Sequence, residues 1–348
     1  MSYQGQTDFQ HGQEKAPPRG VILTNLGTPD APDTASVRRY LAEFLADPRV
    51  VEIPRLLWWC ILHFFILPLR PKRSAALYQQ VWTPEGSPLL AITLHQAEKL
   101  QQVLDLTHGP GSYLVCTGMR YGNPSISSAV QALTAANARN ITVLPLYPQY
   151  SAVTTGSTFD ALATELRQYR WVPQLKFISG YHQHDLYVQA IVDSISQHIE
   201  QHGVPDRLLL SYHGTPLSYL HKGDPYFCFC SQTSRLVGDQ LNLPDNTLVT
   251  TFQSRFGKAK WLQPYTSVVL KELAHEGIKH VAVICPGFSV DCLETLEEID
   301  VENRDYFLEA GGQTFHYIPC LNAADSHVRL MADLVQAPGK IPLEKIDQ

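Results

Sequence analysis

No apolar run in the 348-residue sequence is long enough to cross a bilayer. A membrane helix needs ~20 apolar residues; the longest run, Leu56 to Leu69, has 14 and contains His63 and Pro68. Basic residues are not in excess. Lys and Arg number 27 against 33 Asp and Glu, and the net charge of −6 argues against a nucleic-acid partner. Cysteines are few and odd in number, at seven, so no disulfide framework is expected and a reducing compartment fits. Residues 1–19 lack the apolar centre of a signal peptide and read as a disordered tail, which makes the cytoplasm the expected location. No G-x-G-x-x-G follows a strand, and neither G-x-x-x-x-G-K-[ST] nor H-E-x-x-H occurs, so dinucleotide, P-loop and zincin chemistry are unsupported. Cys228-Phe229-Cys230 has no matching second pair, which argues against a zinc or iron–sulphur site there.

The 44% hydrophobic and 17% charged residues describe a folded chain, and at ~150 residues per domain its length suits two domains. Short apolar runs alternate with helix-length amphipathic stretches. Strands are expected at 21–26, 113–117, 141–146 and 175–178, and again at 207–212, 247–252, 280–285 and 314–318. Helices between them include 35–46, 89–106, 123–138, 158–169, 185–202, 264–276 and 291–310. This alternation implies βαβ units and parallel sheets flanked by helices. The economical reading is α/β: two similar lobes of four strands each, over 20–180 and 181–320. A last helix falls within 321–336, and 337–348 reads as a tail. Ligands of such sheets bind beyond the carboxyl ends of the strands. The segments there are rich in aromatic, Arg, Gly and Pro residues, which suits a flat ligand with anionic groups.

Three features could carry chemistry. His213 ends the Leu208–Tyr212 run at a strand's carboxyl end. An arbitrary histidine is more often structural, but this position is where a ligand site belongs, and a neutral imidazole there accepts a proton or a metal. Asp291, Glu294, Glu298 and Glu302 fall within an arc of about 80° on a regular helix. Such a row is commonly a solvated face; placed after a strand-end turn, it also suits passage of protons or hard cations. The run within 55–70 is flanked by Arg55, Arg70, Lys72 and Arg73. It reads either as a buried helix or as an apolar lip over a cleft that dips into a membrane surface, with Trp58, Trp59, Phe64 and Phe65 partly exposed. A cleft with aromatics, arginines and a histidine facing carboxylates suits insertion of a divalent metal into a macrocycle.

The residues then closely resemble the ferrochelatase family from about Gly20 to Gln336. The resemblance lies in Asn25-Leu26-Gly27-Thr28-Pro29, Gly86-Ser87-Pro88-Leu89, Arg120-Tyr121-Gly122 and Tyr147-Pro148-Gln149-Tyr150-Ser151 with Thr154-Thr155-Gly156-Ser157. It continues through Ser211-Tyr212-His213-Gly214 with Gly223-Asp224-Pro225-Tyr226, Gln253-Ser254-Arg255-Phe256-Gly257 with Trp261-Leu262, and Pro286-Gly287-Phe288 with Asp291-x-x-Glu294. The resemblance implies two Rossmann-like lobes holding a porphyrin, and insertion of Fe2+ into protoporphyrin IX with release of two protons as the last step of haem biosynthesis. It implies that His213 and Glu294 bind metal and remove protons, and that Asp291 and Glu298 form a proton or metal path on a helix with a π-type widening. Leu26, Arg70, Tyr78, Ser87, Arg120, Tyr121, Tyr226 and Trp261 correspond to porphyrin-lining positions. Two readings stay beside it: a chelatase for coproporphyrin or another tetrapyrrole, and a bilobed carrier without catalysis. Animal members carry a [2Fe–2S] cluster, but here Ala152 replaces its first cysteine and no cysteine follows Cys320, so no cluster and no resident cofactor is expected. The expected partners are protoporphyrin IX and Fe2+, with peripheral membrane contact through 56–69, a monomeric state and no nucleic acid. The expected location is the cytoplasm, at the inner surface of the membrane.

Overall fold

The computed structural model describes residues 3–5, 16–255, 257 and 259–336. Its first sheet contains β1 (Arg19–Thr28), β2 (Tyr113–Gly122), β3 (Asn140–Pro145) and β4 (Gln174–Phe177), in the order β2-β1-β3-β4. The second contains β5 (Arg207–His213), β6 (Leu248–Gln253), β7 (His280–Ile284) and β8 (Thr314–Ile318), in the order β6-β5-β7-β8. Neighbouring strands are parallel in both sheets. The shared order places a switch point between β1 and β3 and another between β5 and β7, and such points open a crevice at the carboxyl ends.

The central strands are apolar on both faces because both are covered. In β1, Val21 and Leu23 enter one core and Ile22 another; in β5, Leu208 and Leu210 divide from Leu209 in the same way. Val21, Leu23, Leu208 and Leu210 share one core with Ile191 and Ile195 of helix Asp185–His202 and with Leu330 and Met331 of helix Asp325–Gln336. That core joins the lobes. Each fully buried aliphatic side chain in it contributes about 1.5–3 kcal/mol. The last helix is also tied to the first lobe. Lys176 of β4 donates to the Leu334 carbonyl at 2.7 Å, and Lys99 to the Ala323 carbonyl at 2.8 Å.

Several elements differ from the sequence reading. The first helix after β2 starts at Ile126 instead of 123, because the Ser125 hydroxyl caps it by accepting from the Ser128 N–H. Helix Tyr226–Leu241 was not anticipated; it takes in Cys228-Phe229-Cys230 and carries Gly238 near its end. The expected helix 291–310 is broken into Leu293–Leu296, a π-helix Glu298–Asn303, and Arg304–Glu309. Part of the segment read as a disordered tail is ordered. Arg19 opens β1, and Gln4 exchanges backbone hydrogen bonds with Gln168 and Arg170. The rest of that tail, the tail 337–348 and Phe256 lie outside the described residues.

The 55–70 segment forms helix Arg55–Ile61, a π-helix Leu62–Ile66 and the start of helix Leu67–Val81. Trp58, Leu62 and Leu67 point inward with Tyr40, Tyr78 and Tyr121. Leu56, Trp59, Phe64, Phe65 and Leu69 are each more than half exposed. The two readings of this segment therefore each describe one face of it. Trp58 departs from the expected exposure: its indole N–H donates to the Leu45 carbonyl at 2.6 Å, inside the protein. No described helix is long and apolar enough to cross a membrane.

Candidate active site

His213 is the last residue of β5, beside the β5/β7 switch point. Its Nδ1 lies 2.6 Å from the Gly214 carbonyl oxygen. A carbonyl only accepts, so Nδ1 carries the proton, and in the neutral ring Nε2 carries the lone pair. Glycine follows because there is no room for a side chain. A Cβ at 214 would stand 2.8 Å from the Gln253 carbonyl oxygen and 3.3 Å from the Trp261 ring. Trp261 thus packs beside the histidine, held by the Leu262 N–H donating to the Thr215 carbonyl.

The segment after β7 supplies the carboxylates. Glu294 lies on the short helix Leu293–Leu296 and is half-buried. The Glu294 carbonyl accepts from the Gln253 amide at 2.8 Å, which ties this helix to the end of β6. Glu298 opens the π-helix, and its carboxylate accepts from both the N–H (2.7 Å) and the hydroxyl of Ser254. Ser254 sits at φ 64°, a left-handed conformation in which both donors reach one carboxylate. Burial pushes the Glu298 carboxyl above its ordinary value, and the Glu294 charge adds to this; Ser254 and His213 pull it down without cancelling the rise. His213, Glu294 and Glu298 therefore form one electrostatic group.

From the first lobe, Tyr40, Tyr78 and Tyr147 stand within electrostatic reach of Glu294. Burial is the main cause that raises all three phenols, and the Glu294 charge adds to it, so they stay un-ionised. Tyr78 and Tyr121 share a cluster with Leu26 and Leu293, so the end of β1 meets the helix that bears Glu294. Ser87 accepts from the Thr28 hydroxyl at 2.8 Å at the same end of β1. Tyr226 is buried, and a Cβ on Gly287 would lie 3.6 Å from its hydroxyl, so it borders the loop after β7.

Three residues singled out in the sequence sit otherwise. The Arg120 guanidinium is engaged by the Asp47 carboxylate and by Ser157, so that charge is already matched within the protein. Arg70 lies exposed at the end of the apolar lip. Asp291 precedes the helix instead of sharing its acidic face. Its carboxylate is closed in by the Tyr317 hydroxyl (2.5 Å), the Asn322 amide (2.6 Å), the Thr295 hydroxyl and the Cys320 N–H (both 3.2 Å). Sequence reasoning missed Asp47, Ser254 and Asn322, and in Tyr40 and Tyr147 it missed two phenols within electrostatic reach of Glu294. Only Ser254 and Tyr147 fell within a motif.

The Tyr147–Ser151 motif holds the lobes together. Gln149 donates to Thr233 at 3.0 Å and to the Tyr187 hydroxyl, which itself donates to the Pro286 carbonyl at 2.6 Å. The Ser151 hydroxyl and the Ala152 N–H both donate to Asp224, at 2.9 and 2.7 Å.

A site of this form, with an imidazole lone pair among carboxylates between two lobes, can be set beside known proteins. A family model described as Ferrochelatase matches residues 18–338. A ferrochelatase of Shewanella denitrificans is 55% identical over 334 residues, spanning 93% of this chain and 99% of that protein. One of Marinobacter nauticus is 51% identical over 337 residues, spanning 97% of this chain and 90% of that protein. Among solved structures, SirB from Bacillus subtilis with Fe3+ shares the fold at a TM-score of 0.52 and 12% identity, covering 91% of this chain and 94% of its own. With half or more of its residues identical to these relatives over nearly its whole length, the chain belongs to the ferrochelatase family.

Proposed function

We propose that this chain inserts Fe2+ into protoporphyrin IX, giving protohaem and two protons. The observation that carries the reading is the fixed tautomer of His213: Nδ1 is held by a carbonyl, and Nε2 offers a lone pair beside Glu294 and Glu298. A porphyrin must lose two N–H protons as iron enters. His213 Nε2 takes a ring proton, or holds the metal at the ring centre, with Glu294 on the same site. Glu298, whose carboxyl burial raises above its ordinary value, passes protons or metal onward. Asp291, with its oxygens filled by four donors, anchors the start of the Glu294 helix.

Leu26, Tyr78, Ser87, Tyr121, Tyr226 and Trp261 line the ring, with Arg120 behind them and Arg70 at the outer edge toward the propionates. The uncharged tyrosines and the apolar lip favour protoporphyrin over a ring with more carboxylates. The exposed side chains of the lip, flanked by Arg55, Arg70, Lys72 and Arg73, dock on an anionic membrane surface. In this reading the protein is a cytoplasmic monomer at the inner membrane surface and has no iron–sulphur cluster, in keeping with Ala152.

The test is anaerobic. Purified protein receives excess Fe2+ with protoporphyrin or with coproporphyrin, and porphyrin fluorescence is followed beside His213→Ala and Glu294→Gln. Multiple turnovers with protoporphyrin, lost in both variants, are expected. Turnover of coproporphyrin alone would reassign the substrate. Fluorescence loss limited to one equivalent would make the protein a carrier, and normal rates in both variants would remove the two residues from the chemistry.

A further inference from the structure

At the other end of the second sheet, four histidines meet. His198 and His202 lie four residues apart on helix Asp185–His202 and so share a face. β7 and β8 pair His280 with Thr314 and Ala282 with His316. His280 and His316 are therefore diagonal neighbours on one face of the sheet. Ring centroids lie 4.5 Å apart for His198–His202, 4.4 Å for His202–His316, 5.0 Å for His198–His316 and 5.2 Å for His280–His316. Imidazoles bound to one ion at about 2.0–2.1 Å have centroids about 4.5 Å apart at a right angle and about 5.2 Å apart at the tetrahedral angle. The observed spacings, 4.4 to 5.2 Å, match that interval to within 0.1 Å.

Two of these rings also have an unmet need. The Nε2 atoms of His198 and His280 are buried and find no hydrogen-bond partner among the described residues. Buried ring nitrogens nearly always have one. Burial and the surrounding imidazoles push His198 down to about 4 and lower His316 as well, so both keep their lone pairs at neutral pH. Arg304 also acts on His316, and it is occupied by Asp300 and the Phe315 carbonyl. On the His280 side, Asp206 accepts from the Lys279 and His280 N–H groups. As they stand, no group of three or more His, Cys, Asp or Glu side chains among the described residues is placed to hold a metal ion, so binding requires ring rotations. His202 is exposed and His198 and His316 only half-buried, which leaves room for them.

We propose that His198, His202 and His316, with His280 beside them, form a second metal site for an imidazole-seeking divalent ion of the Zn2+ class, stapling helix Asp185–His202 to β7 and β8. The ion class follows from an all-nitrogen donor set without thiolates or carboxylates. The site is distinct from the one at His213. The register of β5 on β7 places His213 about six residues further along the strands, roughly 20 Å away.

The probe is Zn2+ alone, titrated calorimetrically into the full chain, with melting temperature as a second readout. The wild-type protein is expected to bind one equivalent that survives in His213→Ala. His202→Ala should weaken that equivalent about tenfold or more, and His202→Ala/His316→Ala should remove it together with the Zn2+-induced rise in melting temperature. Fe2+ insertion should continue in both cluster variants. X-ray absorption of the His213→Ala complex should show imidazole scattering. The proposal is overturned if the double variant binds Zn2+ as the wild type does, or if all wild-type binding disappears in His213→Ala. His202 is exposed, so the single variant is expected to fold and keeps the test decisive should the double variant not fold.

Discussion

Replacing Asp291 with asparagine tests whether that carboxylate anchors the site. The residue is 7% exposed. Oδ1 accepts from Tyr317, Thr295 and the Cys320 N–H, Oδ2 accepts from the Asn322 amide, and the Asp291 N–H donates to Asn322 Oδ1 at 2.9 Å. Every neighbour of the carboxylate is thus a donor. An asparagine brings an NH2 that must face one of them. Turned toward Asn322, it meets another NH2; flipping Asn322 removes that conflict and sets its NH2 against the residue 291 N–H instead. One buried donor stays unpaired in either case, costing about 1–3 kcal/mol. Loss of charge on the remaining bonds adds about 1 kcal/mol more. The expected destabilisation is about 2–4 kcal/mol, or roughly 3–6 °C at about 2.1 cal/mol/K per residue. Asp291→Asn/Asn322→Asp restores the pairing, because an aspartate at 322 accepts from both the new amide and the backbone N–H. Urea midpoints of the two single variants and the double variant measure this directly. Recovery in the double variant, with Fe2+ insertion retained, is the expected result. A single variant as stable as the wild type would refute the anchor. A double variant that folds but loses turnover would put Asp291 on the proton path.

Arg120→Ala should cost about 3–5 kcal/mol, because it strips the ion partner from a carboxylate whose side chain is 4% exposed. Burial tends to raise the Asp47 carboxyl, but bonds from Ser157, the Arg49 N–H, Tyr121 and Arg120 outweigh it and hold the group below its usual value. A depressed native pKa stabilises at neutral pH, and the gain is lost as pH falls below the ordinary carboxylate value of about 3.9. The variant's deficit, read from urea midpoints against pH, should therefore shrink in acid. Gly27→Ala should abolish soluble expression, since its Cβ would stand 1.7 Å from the Tyr121 carbonyl oxygen at φ 104°. Gly203→Ala, at φ 82° and ψ 167° with nothing within 4 Å, should cost only the backbone strain, about 1–3 kcal/mol. Trp59→Ser/Phe64→Ser/Phe65→Ser should reduce co-sedimentation with anionic liposomes and leave the urea midpoint nearly unchanged. Trp58→Ala should instead lower stability by about 3–5 kcal/mol, and equal liposome binding by the triple variant would remove the lip from membrane contact.

The two-lobe architecture was legible because the strands are short apolar runs separated by amphipathic stretches; the strand order was not, because parallel winding admits more than one. His213 was legible because it closes such a run. The lip was half legible. Composition shows that the segment is apolar, but the side chains that face inward depend on the π-helix at Leu62–Ile66, which shifts the face every later residue presents. Asp47 was not legible. It lies 73 residues from Arg120 and 110 from Ser157, and only the folded chain brings these three together.

The acidic row shows most clearly how local geometry changes a sequence pattern. On a regular helix, Asp291, Glu294, Glu298 and Glu302 would form one face of four like charges. The chain breaks that face at Glu297, where the backbone N–H of Glu302 reaches back five residues to the Glu297 carbonyl. Asp291 is left before the helix and enclosed by donors. Glu302 turns outward to the Tyr306 hydroxyl. Glu294 and Glu298 alone remain beside His213, and Ser254 supplies two hydrogen bonds that let Glu298 be buried there. A row of four mutually repelling carboxylates thus becomes a pair with one imidazole. With burial and the Glu294 charge raising it, the Glu298 carboxyl holds a proton more readily than a solvated one would, which suits a group that must accept protons and pass them on.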